Sequence, residues 1–233
     1  MQRKSVQLMP MIKQIVFGRA AVTGIFLVLV SGLMMYTGRI DTSGIWLPRG
    51  FNVPILALEF AYSTSEISKI INSLSNEAIH SIHFSTQLDM LFLIVYNLFL
   101  IFFITSIYRI TNLKLYKWMS VFPLIIMIAD AMENIELFYA LDGMDVNIAV
   151  LKIATWTKWL GLSIAFITIG RFLVTTGRYY DKVLALATFV TLPIGVYAMF
   201  SHSGINEVFA MFFYLLFPMA IIYTWFSGIK KAV

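Results

Sequence analysis

The chain has 233 residues, 60% of them apolar and 12% charged, with a mean hydropathy of +0.84. A soluble domain is about half apolar and about a quarter charged, so this composition excludes an ordinary globular domain and indicates a membrane protein. The net charge of +5 comes from Lys and Arg set singly or in pairs between apolar runs, which excludes a basic nucleic-acid groove, and the absence of Cys excludes disulfides and thiolate chemistry.

Six apolar segments follow in chain order, at roughly 15–36, 88–108, 119–141, 152–174, 183–200 and 206–227. Each is close to the ~20 residues that a helix needs to cross the hydrocarbon core. They predict an all-α, polytopic helix bundle that uses residues 1–233 as a single membrane domain. The first segment follows a basic leader but is too long for a signal peptide core, so it reads as a retained span. The fifth contains Pro193, which a membrane helix tolerates where a neighbour satisfies the freed carbonyl.

The one long connection is residues 37–87. Its first half, "TGRIDTSGIWLPRGFNVP", reads as irregular, and its second half repeats Ile67, Ile70, Ile71, Leu74, Ala78 and Ile79 at helical spacing. Ser63 to Ser65 ahead of Glu66 offer an N-cap. The pattern predicts an amphipathic helix on the outer interface, which could also serve as a lid.

Orientation follows from the basic residues. With the N-terminus inside, Arg3, Lys4, Lys13, Arg19, Arg109, Lys114, Lys117, Arg171, Arg178, Lys182, Lys230 and Lys231 share one side, twelve of seventeen. Arg39, Arg49, Lys69, Lys152 and Lys158 fall on the other, and the outer turn "DGMDVN" is acidic. The positive-inside rule therefore puts both termini in the cytoplasm of a plasma (inner) membrane. Trp118, Trp156, Trp159 and Trp225 fall near span ends or in outer halves, where interfacial aromatics belong.

The third segment, "MIADAMENIELFYA", places three carboxylates inside an apolar run. On a helix Asp130, Glu133, Asn134 and Leu137 share a face, with Asp130 near the midplane, while Glu136 points elsewhere and is close enough to the surface to hydrate. A carboxylate facing lipid costs several kcal/mol, so this face turns into the bundle or a wet cavity. The second segment offers Asp89, Tyr96 and Asn97 as partners, and the fourth offers Lys158 as a counter-ion. His80 and His83 end the outer helix, and His202 and Glu207 lie on the last outer turn.

Three readings of this constellation stand side by side. The first is a pocket that binds or transports a small amphipathic or cationic ligand. The second is a metal-assisted intramembrane hydrolase, with His80, His83, Asp89 and Glu133 as metal ligands and an activated water. The third is a polar core that fixes helix packing, although contacts of ~1 kcal/mol make three carboxylates excessive for that purpose alone. No H-E-x-x-H, G-x-S-x-G, phosphate-loop or dinucleotide fingerprint is present.

"LALEFAYSTSEISKII", then Asp89 and Tyr96 in "LDMLFLIVYNL", then "DAMENIELF" resemble a family of uncharacterised bacterial multi-pass membrane proteins. In that family a Leu-Glu-Phe/Leu-Ala stretch precedes an Asp-bearing span and then Asp-x-x-Glu-Asn. The likeness covers roughly residues 54–140. It implies that Glu59, Asp89, Tyr96, Asp130, Glu133 and Asn134 form one site, with Glu59 joining from the outer helix, and it implies no activity.

Overall fold

A computed structural model describes residues 3–38, 40 and 42–229, with side chains between Phe17 and Ser227. Arg39, Lys230 and Lys231 of the charge pattern lie outside the described residues, as do the side chains of Arg3, Lys4 and Lys13. The described residues form helices and no strand: α1 (Arg3–Thr37), α2 (Pro54–Glu59), α3 (Thr64–Ser73), α4 (Asn76–Thr111), α5 (Lys114–Met119), α6 (Pro123–Leu141), α7 (Ile148–Val174), α8 (Tyr179–Met199) and α9 (Ile205–Ile229).

Among the described residues, five stretches are long and apolar enough to cross a membrane: Phe17–Thr37, α4, α7, α8 and Ile205–Ser227. Of the six segments expected, α6 does not qualify by composition, because its 19 residues include Asp130, Glu133 and Glu136. Packing nevertheless places it among the long helices. The order of contact is α1–α4–α6–α7–α8–α9 and back to α1, a closed ring of six. Large apolar side chains such as Leu29 (62% exposed), Leu186 (65%) and Leu215 (65%) face outward, a surface suited to lipid rather than water.

Inside the ring the core is aromatic. Phe60 stacks on Trp159, Trp159 meets Phe209 and Phe213, and Phe213 meets Phe166. Phe166 touches Phe217, Phe217 touches Tyr96 and Phe99, and Phe99 leads through Phe103 to Tyr223 and Phe17. Each edge-on or tilted pair adds ~1 kcal/mol beyond its buried area.

The connection after α1 departs from expectation. The stretch read as a single amphipathic helix is three pieces. Ser63 does cap α3, its side chain accepting from the Glu66 amide at 3.2 Å. Leu74 then breaks the helix with extended backbone, and Ser75 caps a new one by accepting from the Ala78 amide. That helix is α4, so residues 76–87 extend the second span instead of lying beside it. At 36 residues α4 is about 54 Å long, far more than the ~30 Å hydrocarbon core. His80 and His83 are therefore interior positions of α4.

The third piece is α2. Its residues from Leu56 to Glu59 are buried, as are Phe60 and Ala61, and it touches α6, α7 and α9. A short helix this deep must satisfy its own free amides. Glu207 at the start of α9 holds the chain that leads into it: its carboxylate accepts from the amides of Asn52 (2.6 Å) and the N-cap Val53 (3.1 Å) and from the Asn52 side chain (3.3 Å). Beside it the chain before α2 crosses the α8–α9 turn backbone to backbone. There Gly50 has φ +87°, and a Cβ on Gly204 would collide with the Gly50 carbonyl.

Candidate functional site

The α2 side of the bundle, here the loop end, also carries α3 and the α6–α7 and α8–α9 turns. Lys158 lies ten residues into α7, about 15 Å from its first residue, and is 5% exposed. Three carboxylates from two other elements close on its ammonium. Glu59 Oε2 of α2 lies at 3.0 Å and Asp130 Oδ1 of α6 at 3.3 Å, with Glu133 Oε1 of α6 also in contact. The helical spacing of Asp130, Glu133 and Asn134 turns them to the same interior face, as expected, and all three are buried.

Neighbours hold these groups in place. Tyr96 of α4 donates its hydroxyl to Asp130 Oδ2 at 2.5 Å. Asn134 donates its amide to Asp89 Oδ2 at 2.7 Å, with Met90 Sδ at 3.7 Å. Asp89 and Tyr96, two turns apart on α4, thus both face α6. Three residues of α7 at i, i+3 and i+4 grip α2: the Thr155 hydroxyl donates to the Glu59 carbonyl at 3.1 Å, Lys158 meets the Glu59 carboxylate, and Trp159 Nε1 donates to Oε2 at 3.3 Å. The Lys158 ammonium also lies 4.7 Å from the Trp159 ring centre, a favourable cation–π contact.

Glu59, Asp89, Tyr96, Asp130, Glu133, Asn134 and Lys158 are therefore brought together. Asn97 is not joined to them by any hydrogen bond; one residue on from Tyr96, it is turned about 100° away and its amide donates to the Leu93 carbonyl of its own helix. The alternative metal set is also dispersed. His80 is exposed, while His83 lies 3.5 Å from Asp142 and packs on Phe138. Among the described residues no group of three His, Asp or Glu side chains is arranged to hold a metal. In the cluster itself an ammonium occupies the centre.

The cluster holds four carboxyls to one ammonium. Glu133 Oε2 is buried with no hydrogen-bond partner, and Asp130 Oδ1 has only the ammonium. Glu136, expected to hydrate, is instead buried and accepts from the Asn147 amide at 2.8 Å. Asn147 in turn caps α7 by accepting from the amides of Ala149 and Val150. Glu136 thus clamps the α6–α7 turn and takes no part in the cluster.

A groove of about 280 Å³ leads from the loop end to this cluster. It is lined by Glu59, Phe60, Tyr62, Lys152, Ile153, Trp156 and Met199, so Glu59 is the one member it shares with the cluster. Both hydrogen bonds to the Glu59 carboxylate go to Oε2, and none reaches Oε1. At its rim the Tyr62 hydroxyl donates to the Met199 carbonyl at 3.3 Å, and His202 packs on Tyr62 while its Nε2 lies 2.6 Å from Glu66 Oε1.

Sequence reasoning did not find the groove. Trp159 was expected at an interface, yet it is 7% exposed and donates to Glu59. Its spacing of one residue from Lys158 carries no signal, and only the position of α2 gives it a role. Comparison with protein-family models, curated proteins and solved structures finds no match for the chain. The family likeness of residues 54–140 rests on the quoted residues alone.

Proposed function

We propose that this integral membrane protein binds a small amphipathic or cationic molecule in a site that opens on the outer face of the plasma membrane. The observation that carries this reading is the double position of Glu59. One oxygen belongs to the buried Lys158 cluster, and the residue also lines the groove. A carboxylate lining an aromatic-walled groove suits a positively charged or hydrogen-bond-donating group.

The basic-residue pattern supports an outward opening. Every described acidic residue except Asp181 lies between the level of Asp130 and the loop end. Arg109, Lys114, Lys117, Arg171, Arg178 and Lys182 lie at the other end, and this excess of basic residues supports a cytoplasmic position for that end. The aromatic core between the cluster and the inner end favours binding over passage.

The test is ligand-dependent thermal stabilisation of the purified protein, with native mass spectrometry of wild type beside Glu59→Gln. A ligand at 100 times its Kd stabilises by ~2.7 kcal/mol. Stabilisation by an amphiphile or cation that is lost in Glu59→Gln supports the site. No response from any such compound, with equal and empty spectra, leaves the cluster as a polar core that only fixes helix packing.

A further inference from the structure

We infer that the groove takes the head of a zwitterionic amphiphile, its ammonium on Glu59 and its acidic group on Lys152. This rests on the binding role proposed above and specifies its ligand. Three observations lead to it.

The first is the carboxylate. Glu59 is more than nine-tenths buried, and its Oε2 already receives Lys158 and Trp159, whereas no hydrogen bond reaches Oε1. Glu59 lines the groove, and a buried carboxylate oxygen without a donor favours one, a charged donor most of all.

The second is the rim. Lys152 lies six residues before Lys158 on α7, about 9 Å nearer the outer face. No carboxylate lies within ion-pairing distance of it among the described residues; its ammonium rests over the Tyr62 ring, 4.5 Å from the centre. A simple cation entering the groove would meet this like charge at the mouth. A simple anion would pair with Lys152 but would be repelled by Glu59 and the carboxylates behind it. A molecule with both charges satisfies both ends.

The third is the wall. Phe60 and Trp156 pack together at 5.4 Å, and Ile153, 70% exposed, carries the apolar surface from the groove to the outside of the bundle. At about 280 Å³ the space is at the lower edge of ordinary ligand pockets. It has room for a head group, with the acyl chain leaving along Ile153 into the bilayer. A phospholipid head of the ammonium–phosphate type has this chemistry, and so does a soluble zwitterion of the same kind.

The experiment measures binding of four probes to the detergent-purified protein by thermal shift and native mass spectrometry. They are lysophosphatidylethanolamine, lysophosphatidylglycerol, dodecylamine and water-soluble phosphoethanolamine. The zwitterionic lysolipid is expected to bind about tenfold more tightly than either singly charged amphiphile, the worth of one good charge contact. Lys152→Gln, a surface change that leaves the cluster intact, should then shift preference to dodecylamine, and Glu59→Gln should abolish the advantage of the zwitterion. Phosphoethanolamine binding as tightly as the lysolipid would support the zwitterion and place its source in solution; weak binding would place it in the membrane. If dodecylamine binds best to wild type and Lys152→Gln changes nothing, the zwitterion is wrong while the amphiphile site stands. If no probe binds wild type, both readings fall.

Discussion

Removing the Lys158 ammonium would leave Glu59, Asp130 and Glu133 facing one another in a buried space. Breaking a buried ion pair from one side typically costs 3–5 kcal/mol, because the remaining charge is uncompensated. Lys158→Met should therefore lower stability by about that amount in thermal unfolding. Lys158→Met with Glu133→Gln should recover part of the loss, with a coupling of about 1 kcal/mol or more; strictly additive losses would mean that the two groups do not compensate each other. Tyr96→Phe is a smaller test. It leaves Asp130 Oδ2 without its 2.5 Å donor, at a cost of about 1–3 kcal/mol in the same measurement. At this scale much was legible: helical spacing alone turned Asp130, Glu133 and Asn134 to one face, and depth alone selected Lys158 as their counter-ion. Glu136 was misread, because its hydrogen bond goes to a turn amide that spacing does not locate.

Among the elements, α2 closes the site at the loop end and gives it its fourth carboxyl. It has six residues, too few to show a period, so the sequence pattern gave no sign that it re-enters the bundle. The Leu74 break was hidden for the opposite reason: the apolar spacing continues across it into α4. The position of α2 depends on Glu207, and Glu207→Gln replaces one acceptor oxygen with an amide facing backbone donors. A loss of about 1–3 kcal/mol is expected, together with loss of groove binding, although residue 207 does not line the groove. Gly204→Ala should act through the same crossing, since its methyl would displace the chain at Gly50. A Gly204→Ala protein with unchanged stability and binding would show that α2 does not depend on this contact.

For the whole molecule, the absence of Cys makes orientation directly measurable. A single cysteine at Asp145→Cys, on the acidic α6–α7 turn, should react with a membrane-impermeant maleimide on intact cells. Lys117→Cys in α5 should react only after permeabilisation, and the reverse pattern would invert the topology. The ring of six helices was legible because hydropathy and basic residues mark long spans well. The sixth member, α6, is also the helix whose charges spoil its apolar count. What gave it away in the sequence was its place between two clear spans, and what holds it in the structure is the polar face it presents to α4 and α7.

The aromatic core has an electrical consequence. With the groove opening outward as proposed, water in it would bring the outer bath close to Glu59, whereas the rings from Trp159 to Tyr223 leave little room for it in the bundle beyond. The transmembrane voltage would then drop mainly across that ring-filled half. A full crossing is worth ~2.3 kcal/mol per charge per 100 mV, but a charge moving only from the outer bath to Glu59 would traverse little of that drop. Occupancy of the proposed site should thus be nearly indifferent to the membrane potential, so a voltage imposed across proteoliposomes should leave the affinity of the groove unchanged.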